Sequence, residues 1–138
     1  MGSVAGAAQG AGRWWVAFIR AINGSPHNRV RMVDLAGMMR DAGCSEVSWH
    51  LQTGNMFFHA DGERDELAVR IQARLEGTGM RRADVMLRTP AELAALTAVR
   101  PFGGMDSTTW QFEATFLGRA PAAADTTDEG LEFFEKQI

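Results

Sequence analysis

His50 and His59 are two of the three histidines of this 138-residue sequence, the side-chain type that suits proton transfer near neutral pH. An imidazole titrates at about 6.5, so it can give or take a proton there. Between the two histidines, Gln52 and Asn55 offer amides that can orient a bound molecule, and Phe57 offers an aromatic surface. If Ser48, His50 and Gln52 point to one side of a strand, they share that side with one set from the next strand, either Asn55, Phe57 and His59 or Met56 and Phe58. A polar-aromatic sheet face of this kind is the first candidate site, with His50 and His59 as acid and base. The plainer alternative makes both histidines ordinary solvent-facing strand residues.

A second cluster lies upstream. Arg20 and Asn23 are followed by His27, Asn28, Arg29 and Arg31 just before a helical pattern. Free N–H groups and the dipole at a helix start suit a carboxylate or phosphate. Ligand binding by Arg20, Asn23, His27 and Asn28 is weighed against a plainer assignment, in which Asn28 caps the helix and the arginines are solvated.

Other chemistries lack their residues. The three histidines show no i, i+4 pairing and no acidic partner completes a ligand set, so no metal is expected. A nucleophile elbow, a GxGxxG turn and a Walker loop are all missing from the sequence, and no cofactor is expected. Cys44 is the single cysteine, which excludes an internal disulfide and a CxxC pair, fits a reducing cytoplasmic setting, and reads as a buried, inert thiol. The formal net charge of −3 argues against the broad basic surface that a phosphate backbone requires, so nucleic acid is disfavoured as a partner. No membrane span or signal peptide can be read, and residues 1–13 look like a flexible tail before one domain over 14–138.

The elements that must position these residues follow from apolar periodicity. Residues 14–22, WWVAFIRAI, read as a first strand ending at Asn23-Gly24-Ser25-Pro26. Met32, Leu35, Ala36 and Met39 form one helical stripe, and Gly43 stands where a left-handed residue closes a helix. Residues 46–52 alternate with Val47, Trp49 and Leu51 on one face, and a two-residue turn at Gly54 leads to a third strand, Met56-Phe57-Phe58-His59. Leu67, Ala68, Ile71 and Leu75 mark a second helix over 63–76, and residues 83–88 a fourth strand. Thr89-Pro90-Ala91-Glu92 fits a capping box opening a helix that runs to Val99. Residues 109–117 alternate as a fifth strand, and a final helix carries Leu131 and Phe134. The expected class is therefore α+β, an α/β sandwich with a ferredoxin-like βαββαβ unit followed by an αβα extension.

Three segments in order, Arg20-Ala21-Ile22-Asn23, then His27-Asn28-Arg29-Val30-Arg31-Met32 with Asp34-Leu35, then Leu51-Gln52-Thr53-Gly54-Asn55, resemble the signature segments of the family called domain of unknown function 1697. The resemblance covers about residues 15–88 and fades through 117. It implies a fold of ferredoxin-like units and no established activity. This chain departs from the family pattern where Ala21 replaces a Gly after the arginine and Ser25-Pro26 replaces a Gly-Gly, which lessens backbone freedom for any amide nest. Family members also continue past a strand like 109–117 into further polar segments that this sequence does not contain.

These readings favour a cofactor-independent small-molecule-binding domain, an enzyme if His50 or His59 acts as acid or base in an apolar pocket. Eight Met, eight Phe and four Trp supply adaptable walls for such a ligand. The alternative is a binding module for protein partners or single-stranded nucleic acid. The strand-helix order with Phe57 and Phe58 on the third strand has a counterpart in RNA-recognition motifs, but Met56-Phe57-Phe58-His59 lacks their Arg/Lys-Gly opening. The sheet face bearing Ser48, His50 and Gln52 is expected to be covered by the C-terminal elements or by a second subunit, and a homo-oligomer is expected as well.

Overall fold

Apolar residues spaced two apart build four strands between residues 13 and 88, and spacings of three and four build the helices that cover them. The computed structural model describes residues 12–24, 26–99, 103, 104, 106, 108, 109, 116 and 117. Strand β1 is Arg13–Ile19, α1 is Met32–Asp41, β2 is Ser45–His50, β3 is Asn55–Ala60, α2 is Arg64–Gly77, β4 is Val85–Arg88 and α3 is Pro90–Val99. The chain divides into two compact units, Met1–Pro90 and Ala91–Ile138, and the expected domain over 14–138 extends through both. Helix α3 opens at Pro90, the last residue of the first unit, where the sequence places it. Residues 110–115 of the expected fifth strand and the expected helix around Leu131 and Phe134 lie outside the described residues, as do residues 1–11 of the expected tail.

The first unit holds one four-stranded sheet in the order β2-β3-β1-β4, antiparallel throughout. A mixed α+β fold with three helices among the described residues is the result. The core lies on one face of the sheet. Trp15, Ala17 and Ile19 from β1, Met56, Phe58 and Ala60 from β3, and Val85 and Leu87 from β4 are buried with Met32, Leu35, Ala36 and Met39 of α1 and Leu67, Ile71 and Leu75 of α2. Both helical stripes thus land where their periodicity puts them. Removing a fully buried side chain from this layer, such as Leu35 or Phe58, costs about 3 kcal/mol in lost transfer energy and residual cavity.

Helix α1 ends in a Schellman motif. Gly43 takes φ +96, its N–H donates to the Arg40 carbonyl at 2.9 Å, and the Cys44 N–H reaches back to the Met39 carbonyl at 3.0 Å. Its start departs from expectation: Pro26–Asn28 forms a separate 3₁₀ turn, Arg31 is the residue before the helix, and Asn28 does not cap it. Arg31 instead grips Asp34 with two N–H donors at 2.8 and 3.1 Å, staying beside the first turn. These bonds hold the Asp34 carboxyl below its usual carboxylate range.

Strand boundaries also differ. Strand β1 stops at Ile19 rather than 22 because residues 20–24 turn, with Ala21 at φ 62 and Asn23 at φ 55. The β2–β3 connection has four residues, Leu51 to Gly54, rather than two, with Leu51 at φ 59 and Gly54 at φ +89. Strand β4 begins at Val85 rather than Ala83. Strand β2 is an edge strand, and a bulge between Ser45 and Ser48, with Glu46 at φ 50, breaks the alternation read over 46–52. Val47 packs on the core, while Trp49 is 40 % and Leu51 64 % exposed.

Candidate functional site

Cross-strand register decides which residues share the sheet face away from the helices. Directly opposed residues in antiparallel strands project to the same side. Since Met56, Phe58 and Ala60 enter the core, Asn55, Phe57 and His59 take the other face. His50 stands opposite Asn55, Ser48 opposite Phe57 and Ser45 opposite His59 on one side of β3. Across the other side Phe18 faces Asn55, Val16 faces Phe57 and Trp14 faces His59. Beyond β1, Arg88 opposes Val16 and Met86 opposes Phe18. Of the two sets weighed for the third strand, the polar-aromatic one therefore joins Ser48 and His50.

Within this face the Trp14 and His59 rings meet edge to face, with centroids 5.4 Å apart and planes at 73°. Trp14 is 51 % exposed, His50 and Ser48 are exposed, and Asn55, Phe57 and His59 are half-buried. The Asn55 amide donates to the Thr53 hydroxyl at 3.3 Å and to the His50 carbonyl at 3.5 Å, bracing the turn between β2 and β3. Two imidazoles, an amide and a hydroxyl thus border a ring surface made by Phe57 and Trp14, an arrangement able to bind a planar molecule and to exchange protons with it.

The upstream cluster has a different job. Asn23 uses its amide as a piece of backbone: the Val30 N–H donates to Oδ1 at 2.8 Å, and Nδ2 donates to the carbonyls of Val30 at 3.0 Å and Gln52 at 2.8 Å. Asn28 is 2 % exposed and does the same for a distant segment, donating to the Arg81 carbonyl at 2.6 Å and accepting from the Arg81 N–H at 2.9 Å. The capping role expected for Asn28 is replaced by this tie across 53 residues of sequence. Arg20 turns away from the hairpin toward Asp84, pairing with its carboxylate at 3.3 Å while the two backbones bond at 2.9 Å. Both side chains are about half exposed, so the ion pair contributes under about 1 kcal/mol. His27 is exposed on the 3₁₀ turn.

At the hairpin turn, Asn23 meets the backbone of Gln52, and the end of β1 meets the hairpin through the Ile19 N–H and the Gly54 carbonyl at 3.0 Å. Asn55 bonds within its own turn and Arg20 bonds on the β4 side. Sequence reasoning passed over Trp14, Val16 and Arg88 as members of the sheet face. The signal was present for Trp14, because neighbours on a strand take opposite faces and Trp15 is the buried one.

Elsewhere, Cys44 is buried, and burial pushes its thiol up to about 11. Among the described residues no group of three or more His, Cys, Asp or Glu side chains gathers as a metal site would require. No helix among them is long and apolar enough to cross a membrane. The Trp15 indole, 2 % exposed, carries the Arg13 and Arg64 guanidinium carbons 5.5 and 5.7 Å from its ring centroid.

No curated protein and no solved structure matches the chain. A family model described as "Protein of unknown function (DUF1697)" matches residues 13–132, which include the strand ends, the stitched turn and the hairpin just described. The chain belongs to that family.

Proposed function

We propose that the protein is a cofactor-independent domain that binds a small molecule on the face of its sheet away from the helices, with His50 and His59 as the acid–base groups should the molecule be transformed there. The observation that carries this reading is the register that puts Ser48, His50, Asn55, Phe57 and His59 beside Trp14 on one face. In the same reading the first unit is a ferredoxin-like βαββαβ arrangement, supported by the β2-β3-β1-β4 order with both helices on one side. The αβα extension, a homo-oligomer and a cytoplasmic setting belong to it as proposals.

Protein-observed NMR with a mixture of metabolites tests the reading. Binders should shift the resonances of His50, Asn55, Phe57 and His59, and a His50→Gln/His59→Gln double variant should bind them about tenfold more weakly. Binders whose shifts gather around Arg20 to His27 instead would overturn it.

A second reading, a non-catalytic module for protein partners or single-stranded nucleic acid, draws support from the exposed Trp49 and Leu51 on the β2 edge and from aromatics on the two central strands. The net charge of −3 weighs against the nucleic-acid form.

A further inference from the structure

We infer that the turn between β1 and α1 and the bend before β4 together form a docking surface for a short acidic segment of another protein, whose carboxylates pair with Arg29, Arg81 and Arg82. The inference comes from a juxtaposition that the buried Asn28 enforces. Its amide exchanges two hydrogen bonds with the Arg81 backbone, at 2.6 and 2.9 Å, and so fastens the 3₁₀ turn to a segment 53 positions further on. Val30, the other neighbour of Arg29, is stitched to the Asn23 side chain by bonds of 2.8 and 3.0 Å. Consecutive Cα atoms are about 3.8 Å apart, so Arg29 and Arg81 stand within about 11 Å of one another, with Arg82 next in the chain.

These three arginines are exposed, as is His27 beside them, whereas Met80 and Ala83, which flank Arg81 and Arg82, are buried and anchor the bend. None of the three guanidiniums has an ion-pair or hydrogen-bond partner among the described residues. The carboxylates nearest to them in sequence are engaged elsewhere, Asp34 by Arg31 at 2.8 and 3.1 Å and Asp84 by Arg20 at 3.3 Å. Like charges at this spacing are separated by about one screening length, about 8–10 Å at ordinary salt, and repel. Arg82 also takes φ 51, a left-handed value that strains a non-glycine residue. A chain of net charge −3 thus holds three unpaired cations together on a rigid frame against both repulsion and strain.

Charge complementarity selects an anion, and the surrounding backbone selects its kind. The N–H groups of Val30 and Arg81 already go to Asn23 and Asn28, and Asp34 puts a carboxylate into the first turn of α1, which disfavours a phosphate group there. What remains is three separate guanidinium forks, each matched in shape to one carboxylate. A nucleic-acid strand would run past this footprint, and the net charge of −3 opposes its many phosphates. An acidic run of three or four residues in an otherwise neutral segment ends where the cluster ends. The docking surface shares no residue with the sheet face, so the two readings stand or fall separately.

The test is fluorescence anisotropy of a labelled peptide, a short run of glutamates flanked by Gly-Ser pairs, titrated with the full chain. Affinity should fall about threefold for each of Arg29→Gln, Arg81→Gln and Arg82→Gln, about thirtyfold for the three together, and steeply as salt rises from about 0.1 M to about 1 M. Melting temperatures should stay near that of the parent, because Asn28 bonds the backbone of Arg81 and not its side chain. Arg82→Gly separates docking from folding: it relieves φ 51 and removes a charge, so stability should hold or rise while affinity falls. Arg40→Gln takes the same charge from the far end of α1 and should leave binding unchanged. An equal loss from Arg40→Gln, full binding by the triple variant, equal binding of a glutamine version of the peptide, or no binding of the glutamate peptide would each overturn the inference. Loss of affinity that tracks loss of melting temperature across the variants assigns the arginines to folding and overturns it too. Tighter binding of tripolyphosphate or of a thymidine oligonucleotide, abolished by the same triple variant, overturns the acidic protein segment as occupant.

Discussion

At the scale of single residues, the amides of Asn23 and Asn28 show how short polar side chains take over hydrogen bonding that secondary structure cannot reach. Between β1 and α1, residues 20–24 turn and 26–28 form a 3₁₀ turn, and side-chain amides supply hydrogen bonds to the backbone there. Buried donors and acceptors left unpaired cost about 1–3 kcal/mol each. Asn28→Ala therefore removes more than a helix cap would: it strands both the N–H and the carbonyl of Arg81. The expected loss is about 2–3 kcal/mol, measured by urea denaturation, against the ~1 kcal/mol of a lost cap. Ala21 gives the opposite sign. A non-glycine residue at φ 62 is strained, so Ala21→Gly should raise stability by up to about 1 kcal/mol. An unchanged or lower melting temperature would show that the turn tolerates the alanine without strain.

At the scale of elements, the β2–β3 connection is set by what it must pass. Gly54 has φ +89, and a Cβ there would stand 2.7 Å from the Ile19 carbonyl oxygen and 2.9 Å from Ile22 Cγ1. Gly43 also has a positive φ, +96, but its nearest neighbour would be the flexible Arg70 guanidinium at 3.7 Å. Gly43→Ala should thus cost about 1 kcal/mol for backbone strain alone, whereas Gly54→Ala should cost at least twice as much and disturb the β1–β3 pairing. Thermal melts, with amide exchange at Ile19 as a local probe, separate the two. Similar losses at both sites would mean that close approach is not the constraint. This contrast also explains what was legible beforehand. The stripes of α1 and α2 could be read because the periods of Met32-Leu35-Ala36-Met39 and Leu67-Ile71-Leu75 are local. The bulge at Glu46 and the four-residue hairpin turn could not, since Glu46 and Leu51 adopt left-handed φ values that their residue types do not announce. Likewise Asn28 looked like a cap because its actual partner, Arg81, lies 53 positions away. The members of the sheet face away from the helices were half legible: His50, Asn55, Phe57 and His59 follow from alternation, while Arg88 required the β1–β4 register.

At the scale of the whole molecule, the stability of the first unit is tied to keeping one layer dry, and Cys44 reports on that layer. The thiol sits at the end of α1 among the core residues, 4 % exposed, where burial disfavours the thiolate and pushes the thiol up to about 11. Nearby Arg70 acts in the opposite direction, but less strongly. An unfolded cysteine titrates at about 8.5. Between these values the unfolded chain gives up a proton that the folded chain retains, so the unfolded state gains free energy that the folded state does not. The contribution of this group to stability is fully present below the unfolded value and is lost as pH rises through the folded one. Denaturation midpoints should accordingly fall from pH 9 toward about 11, beyond what the other titrating groups cause. Cys44→Ala removes the group and should flatten that part of the profile, although the smaller side chain costs some stability at every pH. The decisive quantity is the slope rather than the level. Parallel curves for parent and variant across this window would mean that Cys44 titrates alike folded and unfolded, and that water reaches the end of α1 in the native state.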